Sequence, residues 1–167
     1  MSELEEFRAS KDDFFAHHPQ SPLTPGQKRD FHGLDYFEEN KDLQMKVHVD
    51  KFPEQEQVAI QTSTGQTQTY TRYGKFKFSV NGQTAELTLY SGEHGFFLPF
   101  ADSLAGEETY PAGRYLEPEP VSDDRFLVDF NMAYNPYCAY NEMWSCPLTP
   151  PENRLKVPIR AGEKMFH

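Results

Sequence analysis

Cysteine is scarce in this chain: only Cys138 and Cys146 occur in 167 residues. Structural zinc takes four ligands, with cysteines two to four positions apart. Here the two thiols stand eight apart, and the six histidines (His17, His18, His32, His48, His94 and His167) are scattered. No metal and no cofactor is expected. Basic residues are also short, 16 Lys and Arg against 26 Asp and Glu, for a net charge of −10. Phosphate backbones and anionic bilayer surfaces attract Lys/Arg patches, so neither nucleic acid nor membrane is an expected partner. No apolar run is long enough to cross a bilayer. The opening MSELEEFRAS lacks the basic and apolar regions of a signal peptide. The expectation is a cytoplasmic protein whose thiols stay reduced. No repeat, low-complexity tract or linker interrupts the sequence, which predicts a single domain over 1–167.

What the chain has is rings and turn formers: 14 Phe, 9 Tyr, 13 Pro and 10 Gly. Large rings bury much area per residue, so a low mean hydropathy is compatible with a packed core. Ser2 with Glu5 is a capping-box pattern, and Leu4, Phe7, Phe14 and Phe15 recur at helical spacing. An amphipathic helix is predicted over 3–17, ending before Pro19. Thr24-Pro25 starts a helical turn. Phe31, Leu34, Tyr36 and Phe37 form an apolar plug, completing a helical and irregular segment, 1–40, packed on a β-rich body, 41–167.

From Lys41 the period becomes two. Leu43, Met45, Val47 and Val49 alternate with polar residues; Val58 and Ile60, Thr67–Tyr73 and Phe96–Phe100 also read as strands. Lys75–Val80 and Gln83–Tyr90 flank Asn81-Gly82, the pair favoured in two-residue type I′ hairpins, which sets Phe78 opposite Ala85 and Phe76 opposite Leu87. Asp124–Asn131 is predicted as a strand with Phe126, Val128 and Phe130 on one face. Leu155, Val157 and Ile159 mark a last strand, at an edge because Pro158 cannot donate to a ladder. The fold class predicted is mainly β (α+β): an antiparallel barrel or sandwich-like sheet with an N-terminal amphipathic helix.

The densest chemistry lies between Gly106 and Lys164. The stretches GEETYPAGRYL, DFNMAYNPYCAY, CPLTPPENRL and AGEK, with FF…SPL and FHGLDYF upstream, resemble the bacterial and archaeal family known as domain of unknown function 1684. The likeness covers nearly the whole chain. It implies a small single domain and carries no activity, ligand or catalytic residue. The chain reads NPYC where the family pattern has NPPC.

Among the residues themselves, Asp129 and Asn131 point the same way along a strand. A buried carboxylate needs a cation or hydrogen bonds, and Arg114 is the predicted partner of Asp129, with Tyr110 beside it. The segment 134–144 holds Tyr134, Asn135, Tyr137, Tyr140 and Trp144 between prolines and is predicted to be an irregular excursion. Together Tyr110, Arg114, Asp129, Asn131, Tyr134, Asn135 and Tyr140 are the predicted lining of a pocket for a small polar or aromatic ligand. Asp102, Glu107 and Glu108 read as a solvated loop. Glu163 reads first as half of a Glu163–Lys164 surface turn, and second as a carboxylate reaching back towards Asp129. Cys138 and Cys146 read as buried thiols.

Three functions follow from these residues. The first is a small-molecule-binding β domain. The second is a hydrolase-like enzyme using Asp129 and Glu163, or Cys138, in the same cavity. The third is an interaction module presenting the Tyr/Trp segment. Whether catalysis occurs, and in what oligomeric state, stays open at this level.

Overall fold

The computed structural model describes residues 2–167. Ser2 accepts a hydrogen bond from the Glu5 N–H and caps α1 (Glu3–His17), which ends ahead of Pro19. Thr24 and Gln27 complete a reciprocal capping box at the start of α2 (Pro25–Arg29). Nine strands follow: β1 (Gln44–His48), β2 (Asp50–Lys51), β3 (Gln57–Gln61), β4 (Thr67–Val80), β5 (Gln83–Gly92), β6 (Gly95–Phe100), β7 (Arg114–Leu116), β8 (Glu119–Ser122) and β9 (Arg125–Asp129).

All strand pairings are antiparallel, and they form two sheets. One runs β1-β9-β8; the other runs β2-β4-β5-β6-β7, with β3 on the same side of β4 as β2. The ladders do not join, so of the two predicted architectures the sandwich-like one is observed and the closed barrel is not. Between β1 and β2 the chain passes from one sheet to the other at Val49, whose N–H is taken by the Asp124 carbonyl at 2.7 Å.

The β4–β5 hairpin has the expected register, Phe78 opposite Ala85 and Phe76 opposite Leu87. Asn81 and Gly82 hold φ of 51° and 81°, the pair of positive values a type I′ turn requires. Alternation then sends Phe76, Phe78, Leu87 and Leu89 into the space between the sheets, where Val47, Phe126 and Val128 meet them from β1 and β9. Phe130 is wedged edge-on against Phe100 at 5.2 Å and beside Phe78 at 5.3 Å.

A second apolar cluster joins Phe15, Leu23 and Leu34 to Tyr140, with Phe14, Phe31, Tyr36, Tyr137 and Phe166 around it. Phe31, Leu34 and Tyr36 of the predicted plug therefore cover the aromatic excursion, while Phe37 lies over Arg114 instead.

The C-terminal segment corrects one expectation. No strand forms at 155–159 among the described residues; the segment is tied to 101–103 by an isolated parallel bridge, Ala101 with Arg154, and by the Ser103 N–H, which donates to the Val157 carbonyl at 3.0 Å. Val157 and Ile159 are buried as their spacing demands. At Ile159 the backbone is engaged by side chains, its N–H by the Asp102 carboxylate at 2.7 Å and its carbonyl by Arg114 at 2.9 Å. A strand cannot form where its ladder groups are held by side chains. The segment acts as a strap: Phe37 N–H donates to Gly162 and Lys164 N–H to Asp35, while Glu163 N–H donates to Ala133. Gly162 is required there, since its φ is 78° and a Cβ would lie 2.7 Å from the Ala133 carbonyl oxygen.

Candidate functional site

Arg114 opens β7 and is 1 % exposed. One guanidinium nitrogen donates to the carbonyls of Ala161 and Glu163, and the other to that of Ile159. The plane lies 5.2 Å from the Phe100 ring centre and 5.9 Å from that of Phe37. Its counter-ion is Asp102, 3.9 Å away, which also accepts from the Thr109 hydroxyl at 2.7 Å and from the Ile159 N–H. Burial pulls the guanidinium pKa down to about 10, opposed by Asp102 and then Glu163. The group therefore stays charged at neutral pH.

Two expectations are corrected by this cage. Asp129 is not the partner of Arg114, and Asp102 is not in a solvated loop. Asp129 sits half-buried where β9 ends and accepts from the backbone N–H and the side-chain amide of Asn131, each at 3.0 Å. Asn131 in turn exchanges two hydrogen bonds with the backbone of Asn40. Asn131 lies in the 3-10 turn Phe130–Met132 beyond the strand rather than on its face, and the two side chains pin that turn.

Glu163 corrects a third expectation. It is 1 % exposed rather than on a surface turn. Its carboxylate reaches towards α1, not towards Asp129, and holds Lys11 on one oxygen and the Tyr140 hydroxyl on the other. The Asn135 N–H approaches the same oxygen at 3.4 Å, while the Asn135 amide donates to the Lys164 carbonyl at 2.9 Å. Burial, then Glu163 as a neighbouring negative charge, raises the Tyr140 pKa well above the ordinary tyrosine value.

Lys11 lies in the aromatic stripe of α1, between Phe7 and Phe14–Phe15, and its ammonium sits 5.1 Å from the Tyr134 ring centre. Phe7, Lys11, Phe14 and Phe15 form one wall of a groove of about 700 Å³. Tyr115, Tyr134, Pro136, Tyr137, Trp144 and Cys146 form the other. Tyr134 is fixed by its hydroxyl on Glu117 and by Tyr115 edge-on at 5.8 Å. Tyr110 stands apart, its hydroxyl 3.6 Å from the Cys138 sulfur. Among the described residues no three His, Cys, Asp or Glu side chains converge as a metal site would require.

The predicted pocket residues are thus divided. Tyr134 lines the groove, Tyr140 and Asn135 hold the carboxylate behind it, Arg114 is sealed in the sandwich edge, and Asp129 with Asn131 forms a turn. Sequence reasoning missed the helix wall. The signal was present: Phe7, Lys11, Phe14 and Phe15 share a helical face, and a lysine on an apolar stripe calls for a buried carboxylate opposite.

In class this is an antiparallel sandwich-like β domain bearing an aromatic groove under an N-terminal helix. The chain belongs to the family described as protein of unknown function (DUF1684), which matches residues 29–164. It is similar to an uncharacterized protein of Haloarcula marismortui known from a solution NMR structure. That chain is 36 % identical with a TM-score of 0.73, the match covering 96 % of this chain and 91 % of the other. No curated protein matches.

Proposed function

We propose that this protein binds a small aromatic molecule bearing a hydrogen-bond acceptor, lodged in the groove between α1 and residues 134–146. The single observation behind this reading is the composition of that groove. Its walls are rings, and the cation among them, Lys11, is held in place by a buried Glu163. Flat apolar walls stack on a flat ligand. An ammonium has three protons, and Glu163 engages one side of it, leaving donors for a carboxylate or carbonyl on the ligand. Few oriented polar groups on an apolar surface is the usual make-up of a small-molecule site.

Trp144 is the only tryptophan of the chain and lies in the groove wall, so its emission reports occupancy directly. Titration with phenylacetate and 3-phenylpropionate is expected to give saturable changes in emission and a higher Tm, with succinate, which has no ring, giving neither. Phe14→Ala is expected to weaken binding about tenfold, the loss of one stacking surface. Identical responses to succinate and to the aromatic acids, or full affinity in Phe14→Ala, would remove the groove from consideration.

A further inference from the structure

Cys138 and Cys146 close a small loop. The 3-10 turn Tyr137–Ala139 brings the Cys138 N–H to the Cys146 sulfur, 3.3 Å away. Cys146 is clamped by Ser63, whose hydroxyl accepts from its N–H at 3.2 Å and whose N–H donates to its carbonyl at 2.9 Å. Tyr110 approaches Cys138 from the other side, its hydroxyl at 3.6 Å from the sulfur. Both thiols are free and 8 % exposed, and Cys146 forms part of the groove wall. Neither the fold nor the proposed ligand requires two thiols in contact.

We propose that Cys138 and Cys146 are a dithiol centre that small hydroperoxides oxidise to an intramolecular disulfide. The inference is independent of what occupies the groove.

The electronic arrangement favours it. Hydrogen bonding from Cys146 is the main influence that pushes the Cys138 thiol down to about 6, aided by Tyr110 and Ser63 and opposed by burial. The same bond pushes the Cys146 thiol up. The two sulfurs share a proton, and this sharing favours thiolate character at Cys138. The Cys138 thiolate attacks one peroxide oxygen. The O–O bond breaks, the alkoxide leaves and takes up the proton that Cys138 had released, and Cys138 becomes a sulfenic acid. The Cys146 sulfur then attacks the Cys138 sulfur. The S–O bond breaks, hydroxide departs with the Cys146 proton as water, and the disulfide forms. Two thiols are oxidised while one hydroperoxide is reduced to an alcohol and water.

The molecule carries its own reference, because Met143, three residues before Cys146, is 73 % exposed. Both cysteines and Met143 fall in one tryptic peptide, 126–154. The folded protein is treated with graded hydrogen peroxide or tert-butyl hydroperoxide, quenched, alkylated under denaturing conditions and digested. The expected product is this peptide lighter by two hydrogens, formed roughly tenfold faster than the Met143 sulfoxide and reversed by dithiothreitol. In Cys146→Ser the reaction is expected to stop at a sulfenic acid on Cys138, captured by dimedone. Sulfoxide at Met143 while both thiols remain alkylatable overturns the proposal, and so does a disulfide that links two chains. A wild-type disulfide with no captured sulfenic acid in folded Cys146→Ser overturns the assignment of Cys138 as attacking thiol.

Discussion

Two ionic centres share Glu163, and they differ in their access to water. The carbonyl of Glu163 belongs to the Arg114 cage, at 3.0 Å from the guanidinium. Its carboxylate belongs to Lys11 and Tyr140 at the back of the groove. In the cage, Arg114 and Asp102 have side chains 1 % exposed, and backbone groups of 159–163 occupy much of the guanidinium and carboxylate. Lys11 is 17 % exposed and opens onto the groove. A closed centre whose donors are spent on backbone groups shapes the strap. An open one keeps donors for something else. Charge and burial alone do not separate the two; where the remaining hydrogen-bonding capacity points does.

The largest test of that contrast is Arg114→Met. Removing the cation leaves three carbonyls and the buried Asp102 without it, and a loss of about 3–5 kcal/mol is expected. Chemical denaturation reads the loss directly. A variant as stable as the parent would mean the cage is not what fixes the strap.

Lys11→Met comes next. Glu163 keeps Tyr140 and water can reach the vacated site, so the expected loss is smaller, about 2 kcal/mol. Adding Glu163→Gln to Lys11→Met is expected to restore part of it, since the uncompensated charge is then gone. Should Lys11→Met cost as much as Arg114→Met, the distinction between open and closed centres breaks.

The tyrosines behind and beside the groove sharpen the contrast through pH. Burial raises the hydroxyl pKa of Tyr115, Tyr134 and Tyr140 above the ordinary value. The folded chain therefore keeps protons that the unfolded chain releases. Their contribution to stability is complete below about pH 10 and falls as pH rises past it. Tyr140→Phe removes one such group and is expected to flatten the alkaline arm of the stability curve by about 1.4 kcal/mol per pH unit. Parallel alkaline arms for variant and parent would show that Tyr140 ionises in the folded state as freely as in the unfolded one.

How much of this was legible depends on whether the deciding partner was local. The β4–β5 hairpin was readable because alternation and Asn81-Gly82 agree within a dozen residues. The helix α1 was readable from its cap and its phenylalanines. The strap was misread because Leu155, Val157 and Ile159 have strand spacing, while the groups that prevent a ladder, Asp102 and Arg114, lie more than forty residues away. Arg114 was given to Asp129 as part of a pocket lining, whereas its counter-ion is Asp102, since pairing between distant segments leaves no trace in spacing. Glu163 failed in the same way: its cation comes from residue 11, at the opposite end of the chain.

The smallest expected effect serves as a control for the others. The turn Asn81-Gly82 lies at the far end of the hairpin, and neither residue touches Arg114, Lys11, Glu163 or the groove. Both hold positive φ, which alanine adopts only with strain. Replacing the pair by Ala-Ala is therefore expected to cost about 1 kcal/mol in chemical denaturation. Trp144 emission in the native state should stay unchanged, because nothing around the indole has moved. Lys11→Met, by contrast, is expected to shift that emission, since Lys11 and Trp144 line the same groove. If the hairpin variant shifts Trp144 as much as Lys11→Met does, the emission is reporting global loosening, and the groove loses its local reporter.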